Sequence, residues 1–142
     1  MLPSANVRLA YLNSLNKLSD NHTRQKAWEE LTGFAQRLDH YTLSGFLQCL
    51  HSTNAQHTIA CRCGAVRMYG HLAGLHPELL VAHLPRISDT IVARLKDKDV
   101  TRELREACMG AFASLVTELG QVDSCLPSIL RPLLPLMADP SE

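Results

Sequence analysis

Three arginines, Arg24, Arg62 and Arg105, each open a run with the same apolar signature. Three residues on stand Ala27, Ala65 and Cys108, all small. Seven on stand Leu31, Tyr69 and Phe112, all large, and ten on stand Phe34, Leu72 and Leu115. Fourteen on stand Leu38, His76 and Leu119. These offsets fall on one face of an α-helix, and a strand would require alternation instead. One helix face therefore recurs three times, 38 residues apart and then 43.

Each run is preceded by another apolar helical pattern. Leu9, Leu12 and Leu15 carry the first, over 6–18, and Leu43, Phe46, Leu47 and Leu50 the second, over 41–50. Leu80, Leu84, Ile87, Ile91 and Leu95 carry a third, over 79–95, and Leu126, Ile129, Leu130, Leu133 and Leu134 a fourth, over 122–137. A repeat of helix pairs at this spacing is the signature of HEAT and armadillo arrays. The expected fold is all-α, a HEAT/armadillo-type α-solenoid of about three and a half helix pairs. It is expected to form a single domain over 1–142, cut after the first helix of a fourth repeat. That last helix has no partner helix, so the chain reads as a fragment or as a subunit whose end is covered.

The connections are short. Asp20 or Thr23 is expected to cap the helix that starts at Arg24. Pro77 suits a first helical turn, Pro85 is expected to kink the 79–95 helix, and Gly120 is expected to close the last repeat helix. Gly33, Gly64, Gly70, Gly74 and Gly110 lie inside the second helices of the pairs. Each costs about 1 kcal/mol of helix propensity, and close helix–helix approach is the expected reason.

The remaining composition removes function classes. The 14 basic and 14 acidic residues cancel, so no global charge draws nucleic acid or membrane. No apolar run spans a bilayer and no signal peptide is visible. With five cysteines inside apolar helical patterns, a soluble intracellular chain with buried free thiols is expected. His57, Cys61, Cys63 and His71 are the only metal-like group. Cys63 is rotated about 200° from Cys61 on a helix, so the four do not converge as zinc requires. The histidines His22, His40, His51, His57, His71, His76 and His83 fall mostly at loops or helix ends, where a solvated ring is the expectation. No P-loop, nucleophile elbow or paired-carboxylate motif is present. A non-catalytic protein without cofactor or metal is expected.

The loops inside each pair project from one edge of such an array. That edge collects Lys17, His22 and Arg24, then His51, His57 and Arg62, then Lys96, Lys98 and Arg102. A row of this kind can meet an acidic surface through short-range charge pairs, although Asp20, Asp97 and Asp99 sit among the cations. Trp28 is expected to pack against the first helix, over 6–18, or at the end of the domain, with an interface role as its alternative.

Certain runs also resemble a known family. Leu15-Asn-Lys-Leu-Ser-Asp20, with the helix ending at Leu38-Asp39, looks like the N-terminal repeat of the plant Tortifolia/Spiral microtubule-associated proteins. Cys61-Arg-Cys-Gly-Ala-Val-Arg-Met-Tyr-Gly-His-Leu-Ala-Gly-Leu-His76 is similar to that family's next repeat helix. Ile91-Val-Ala-Arg-Leu-Lys-Asp-Lys-Asp99 and Leu104-Arg-Glu-Ala-Cys108 continue the match. The resemblance covers residues 7 to 137. It implies a TOG-like array of HEAT repeats that binds tubulin or the microtubule lattice in the cytoplasm, with ciliary and axonemal relatives. It also implies that the loops 19–23, 52–57 and 96–101 form the tubulin-facing edge, through Lys17, His22, Arg24, His57, Lys96, Lys98 and Arg102. The first loop carries no bulky aromatic and the array is short of six repeats, which weighs toward the lattice over the free tubulin dimer. The alternative is a general protein–protein scaffold whose second helices grip a peptide.

Overall fold

The computed structural model describes residues 5–120, and all regular structure over that span is helical. Helix α1 is Ala5–Lys17, α2 is Arg24–Gln36, α3 is Leu43–His51 and α4 is Ile59–Leu75. A short α5, Pro77–Leu80, leads through a 3-10 turn, Val81–His83, into α6, Leu84–Leu95, and then α7, Arg102–Leu119. The expected helix over 122–137, and Cys125 within it, lie outside the described residues. Among the described residues no helix is long and apolar enough to cross a membrane.

The recurring face is the core. Ala27, Ala65 and Cys108 are buried, as are Leu31, Tyr69 and Phe112 one turn further on. They face Leu15, Phe46, Leu47, Leu84, Ile87 and Ile91 from the helices that precede them. The helices α2, α4 and α7 lie in series, α2 beside α4 and α4 beside α7, while α1 packs on α2 and α3, and α6 on α7.

Several local expectations need correction. Thr58 and Thr101 cap α4 and α7, accepting from the amides of Cys61 and Leu104. The start of α2 has no such cap. Thr23 has near-helical backbone angles (φ −110°, ψ −5°), and its hydroxyl donates back to the Lys17 carbonyl. A capping side chain needs extended backbone to reach over the first turn. Asp20 accepts from the His22 amide within its own turn instead. Pro85 does not kink a continuous helix. The helix ends at Leu80 and restarts at Leu84, which places Pro85 in a first turn, where its missing N–H is no loss. Pro77 opens α5 as expected. Gly120 is the C-cap of α7, but in right-handed conformation (φ −61°), so no left-handed cap forms.

The glycines divide. A methyl at Gly64 would overlap Leu18 Cδ1, and Gly70 sits against Ser114 and the Ala111 backbone of α7. These two are packing glycines. Gly33, Gly74 and Gly110 have nothing within 4 Å of where a methyl would stand, so close approach within the described residues does not explain them.

Candidate functional site

The loops between paired helices are built from short polar turns. Asp20 organises the first, and Asn54 the second, where Asn54 Oδ1 accepts from the Gln56 amide at 2.8 Å. The helices anchor these turns from below. Arg24 Nε donates to the Leu18 carbonyl at 2.8 Å, and Arg62 Nε to the His57 carbonyl at 3.0 Å. Two arginines at equivalent repeat positions thus hold equivalent loops.

The loops are also joined to one another. Ser19 Oγ and Thr58 Oγ1 share a hydrogen bond of 2.7 Å between the first and second. Arg94 Nη1 donates to the Thr53 carbonyl at 2.9 Å between the second and third. Arg62 reaches from the second to the third, gripping Asp99 with Nη1 and Nη2 at 2.8 and 2.7 Å and Asp97 with Nη1 at 3.0 Å. Asp97 Oδ2 also lies 3.3 Å from Arg94 Nε. Arg62 is only 2% exposed, so it is a pin under the loops and not a surface cation of the edge. The Asp99 carboxyl is held below the usual carboxylate range, chiefly by its hydrogen bond from Arg62.

This arrangement sorts the residues Lys96-Asp-Lys-Asp99. The two aspartates are matched by Arg62 and Arg94, while Lys96 and Lys98 are exposed and have no ion-pair partner among the described residues. The other edge residues differ. Lys17 is loosely placed at 3.9 Å from Glu30. Arg102 is paired with Glu106 at 3.0 Å although its side chain is 91% exposed. His22 is exposed, Arg24 is tethered through Nε, and His57 is half-buried with Nδ1 accepting from the Asn54 amide. In the third loop, then, Lys96 and Lys98 carry positive charge that no ion pair opposes among the described residues. Arg94 was the residue hidden from sequence reading. Its only signal is a charged residue inside the apolar run Ile91-Val-Ala-Arg94-Leu.

A second feature lies on the face of α2, α4 and α7. An open groove of ≈ 430 Å³ is lined by Trp28, Arg67, Gly70, His71, Glu106 and Gly110, among others. Trp28 meets His71 of α4 edge-on at 6.1 Å between ring centres, so its ring partner is on the next helix of the series and, contrary to expectation, not on the first helix. The histidines are less solvated than sequence suggests. His51 binds Tyr69 Oη at 2.6 Å through Nδ1, and burial lowers its pKa to about 4. Burial also lowers that of His71.

The cysteines Cys49, Cys61, Cys63 and Cys108 are free and buried. Burial pushes all four thiols up, Cys108 to about 12, which keeps them protonated and weak as nucleophiles at neutral pH. Among the described residues no group of three or more His, Cys, Asp or Glu side chains could hold a metal ion.

Comparison with known proteins agrees with the resemblance. A family model described as TORTIFOLIA1 N-terminal matches residues 5–142. TORTIFOLIA1-like protein 4 of Arabidopsis thaliana is 32% identical over 84% of this chain and 19% of its own length. TORTIFOLIA1-like protein 5 of the same plant is 34% identical over 79% of this chain and 22% of its own. The Arabidopsis thaliana protein named microtubule-associated protein TORTIFOLIA1 is 30% identical over 92% of this chain and 16% of its own. The chain thus spans 16–22% of the length of these relatives. The chain belongs to the TORTIFOLIA1 N-terminal family.

Proposed function

We propose that this chain is a non-catalytic, TOG-like HEAT-repeat domain, a single α-solenoid unit, that binds microtubules or tubulin through its loop edge. The carrying observation is the third loop. Its aspartates turn to Arg62 and Arg94, and Lys96 and Lys98 are left exposed and unpaired among the described residues. Opposed cations and anions would cancel against a charged partner, whereas two unopposed lysines beside an edge also bearing Lys17, His22, Arg24, His57 and Arg102 favour an acidic one. The name of one relative, a microtubule-associated protein, supplies the partner class. The reading places the chain with the cytoskeleton and requires neither cofactor nor metal.

The test is microtubule co-sedimentation of the folded chain at low and at moderate salt. The reading expects pelleting that weakens with salt, since exposed charges are screened over about 10 Å at 0.1 M. Absence of the chain from the pellet at both salts would sink it.

The groove beside Trp28 favours a second reading, a scaffold that grips a peptide on the face of α2, α4 and α7. Its volume lies within the range of about 300–1,000 Å³ typical of binding clefts. The discriminating measurement is pelleting of Trp28→Ala against Lys98→Glu. The scaffold reading requires the first to lose binding and the second to keep it.

A further inference from the structure

Counting back from the repeat arginines puts the second and third loops in one register. Thr58 and Thr101 stand four residues before Arg62 and Arg105, and each caps its helix. Eight and six residues before those arginines stand Asn54 and Gln56 in the second loop, and Asp97 and Asp99 in the third. Amides thus occupy in one loop the positions that carboxylates occupy in the next.

The arginine one repeat earlier differs in the same way. Arg24, ahead of the amides, donates through Nε to the Leu18 carbonyl and has no ion pair among the described residues. Arg62, ahead of the carboxylates, makes the matching backbone contact to His57 and extends its guanidinium to both of them. Asp97 has a second cation in Arg94, whereas Asp99 has Arg62 alone among the described residues. The Asp99 side chain is also 57% exposed and stands next to Lys98. Without Arg62, its carboxylate would lie open beside Lys98 and oppose that lysine toward an acidic partner. Arg62, at 2% exposure, lies too deep for a partner to reach.

We propose that Arg62 is a positioning residue of the partner-facing edge: by holding Asp97 and Asp99 on its buried guanidinium, it leaves Lys96 and Lys98 unopposed for an acidic partner that it does not itself touch. The inference rests on the reading that the loop edge meets such a partner. The alternating run Lys96-Asp-Lys-Asp99 is neutral by sequence, and its outward charge is set by a side chain of the preceding repeat.

The test compares the wild-type chain with Arg62→Met, Arg62→Met/Asp99→Gln and Arg62→Met/Glu78→Gln, each shown by circular dichroism to be folded. The probes are microtubules, in co-sedimentation, and soluble poly-glutamate. Asp99→Gln copies the amide of the second loop. Glu78→Gln makes the same change in net charge beyond the far end of α4, about 25 Å from Arg62. Arg62→Met should weaken binding to both probes by about threefold or more. Asp99→Gln should restore most of it, and Glu78→Gln should not. If Arg62→Met does not fold, Arg62→Lys replaces it, with the same order over a smaller range, because a point charge cannot hold the fork. Unchanged binding by the Arg62 variant overturns the proposal. So does a loss that Asp99→Gln leaves unrestored, or that Glu78→Gln restores equally. A wild type that ignores microtubules yet ranks the variants in this order on poly-glutamate sinks the microtubule reading and upholds the positioning role. Binding to neither probe overturns both.

Discussion

Arg62 and Asp99, 37 residues apart, are joined by two parallel hydrogen bonds, Nη1 to Oδ1 at 2.8 Å and Nη2 to Oδ2 at 2.7 Å. Forked pairing of this kind fixes orientation as well as distance, which lysine cannot do. The buried guanidinium also holds Asp97 and the His57 carbonyl, so one side chain ties the second loop to the third. Arg62→Met should destabilise the chain by about 3 kcal/mol, because it removes one side of a buried pair and leaves Asp97 to Arg94 alone. Arg62→Lys should recover only part of that loss. Urea denaturation of the three forms checks it, and equal stability of the Lys variant and the wild type would show that the fork is not what matters.

Gly110 and Gly64 should respond to alanine with opposite signs. At Gly110 a methyl meets open space, so the variant gains about 1 kcal/mol of helix propensity. At Gly64 the methyl overlaps the Leu18 side chain, which is itself buried among core residues and has little room to turn away. Overpacking of that kind costs about 1–3 kcal/mol, more than the propensity gained. Thermal melts of both variants test the pair. Gly110→Ala also narrows the groove beside Trp28, so it would reduce any peptide affinity there while raising the melting temperature.

The repeat was legible because its signal is local. Small and large residues at fixed offsets from Arg24, Arg62 and Arg105 need only a helix to bring them together, and the structure buries the first two offsets as one core. The edge was half legible. Its loops follow from the helix pattern, but the fate of each charge follows from partners far away in sequence. Arg62 looks identical to Lys98 as a positive charge in a loop-adjacent segment, yet one is a buried pin and the other exposed. The backbone angle at Thr23 and the break before Leu84 depend on how the helices pack, so residue preferences alone placed a cap and a kink wrongly.

Under the proposed function, the cations of the edge should not contribute equally to microtubule binding. Lys96 and Lys98 have no competing carboxylate among the described residues, whereas Arg102 must leave Glu106 and Arg24 must leave the Leu18 carbonyl. Lys96→Glu with Lys98→Glu should weaken co-sedimentation by about tenfold, corresponding to about 0.7 kcal/mol for each lysine. Arg102→Glu should have a smaller effect. A ranking in which Arg102 dominates would place the contact on α7 and away from the third loop.

Acid should weaken the fold at pH values above those at which Asp39 and Asp99 take up protons. His51 is packed between α4 and α6, with Nδ1 2.6 Å from Tyr69 Oη and 3.3 Å from Thr90 Oγ1, and burial, with Arg86 and His83 nearby, lowers its pKa from 6.5 to about 4. His71 shifts in the same direction through burial. In the unfolded chain both rings take up a proton at their ordinary value, so from about pH 6.5 downward the unfolded state binds more protons than the folded one, and stability falls with pH. Asp39 and Asp99 are lowered below 3.8 by their hydrogen bonds. Their stabilisation is present above that value and is lost only as pH falls through it, outside the histidine window. The slope between about pH 6 and pH 5 therefore belongs to the histidines, with a limit of about 1.4 kcal/mol per pH unit for each fully shifted ring. His51→Gln should lower stability at neutral pH, through the lost Tyr69 contact, and make the acid dependence shallower. Urea unfolding of both proteins across this window decides it: parallel pH curves for the two would assign the slope to groups other than His51.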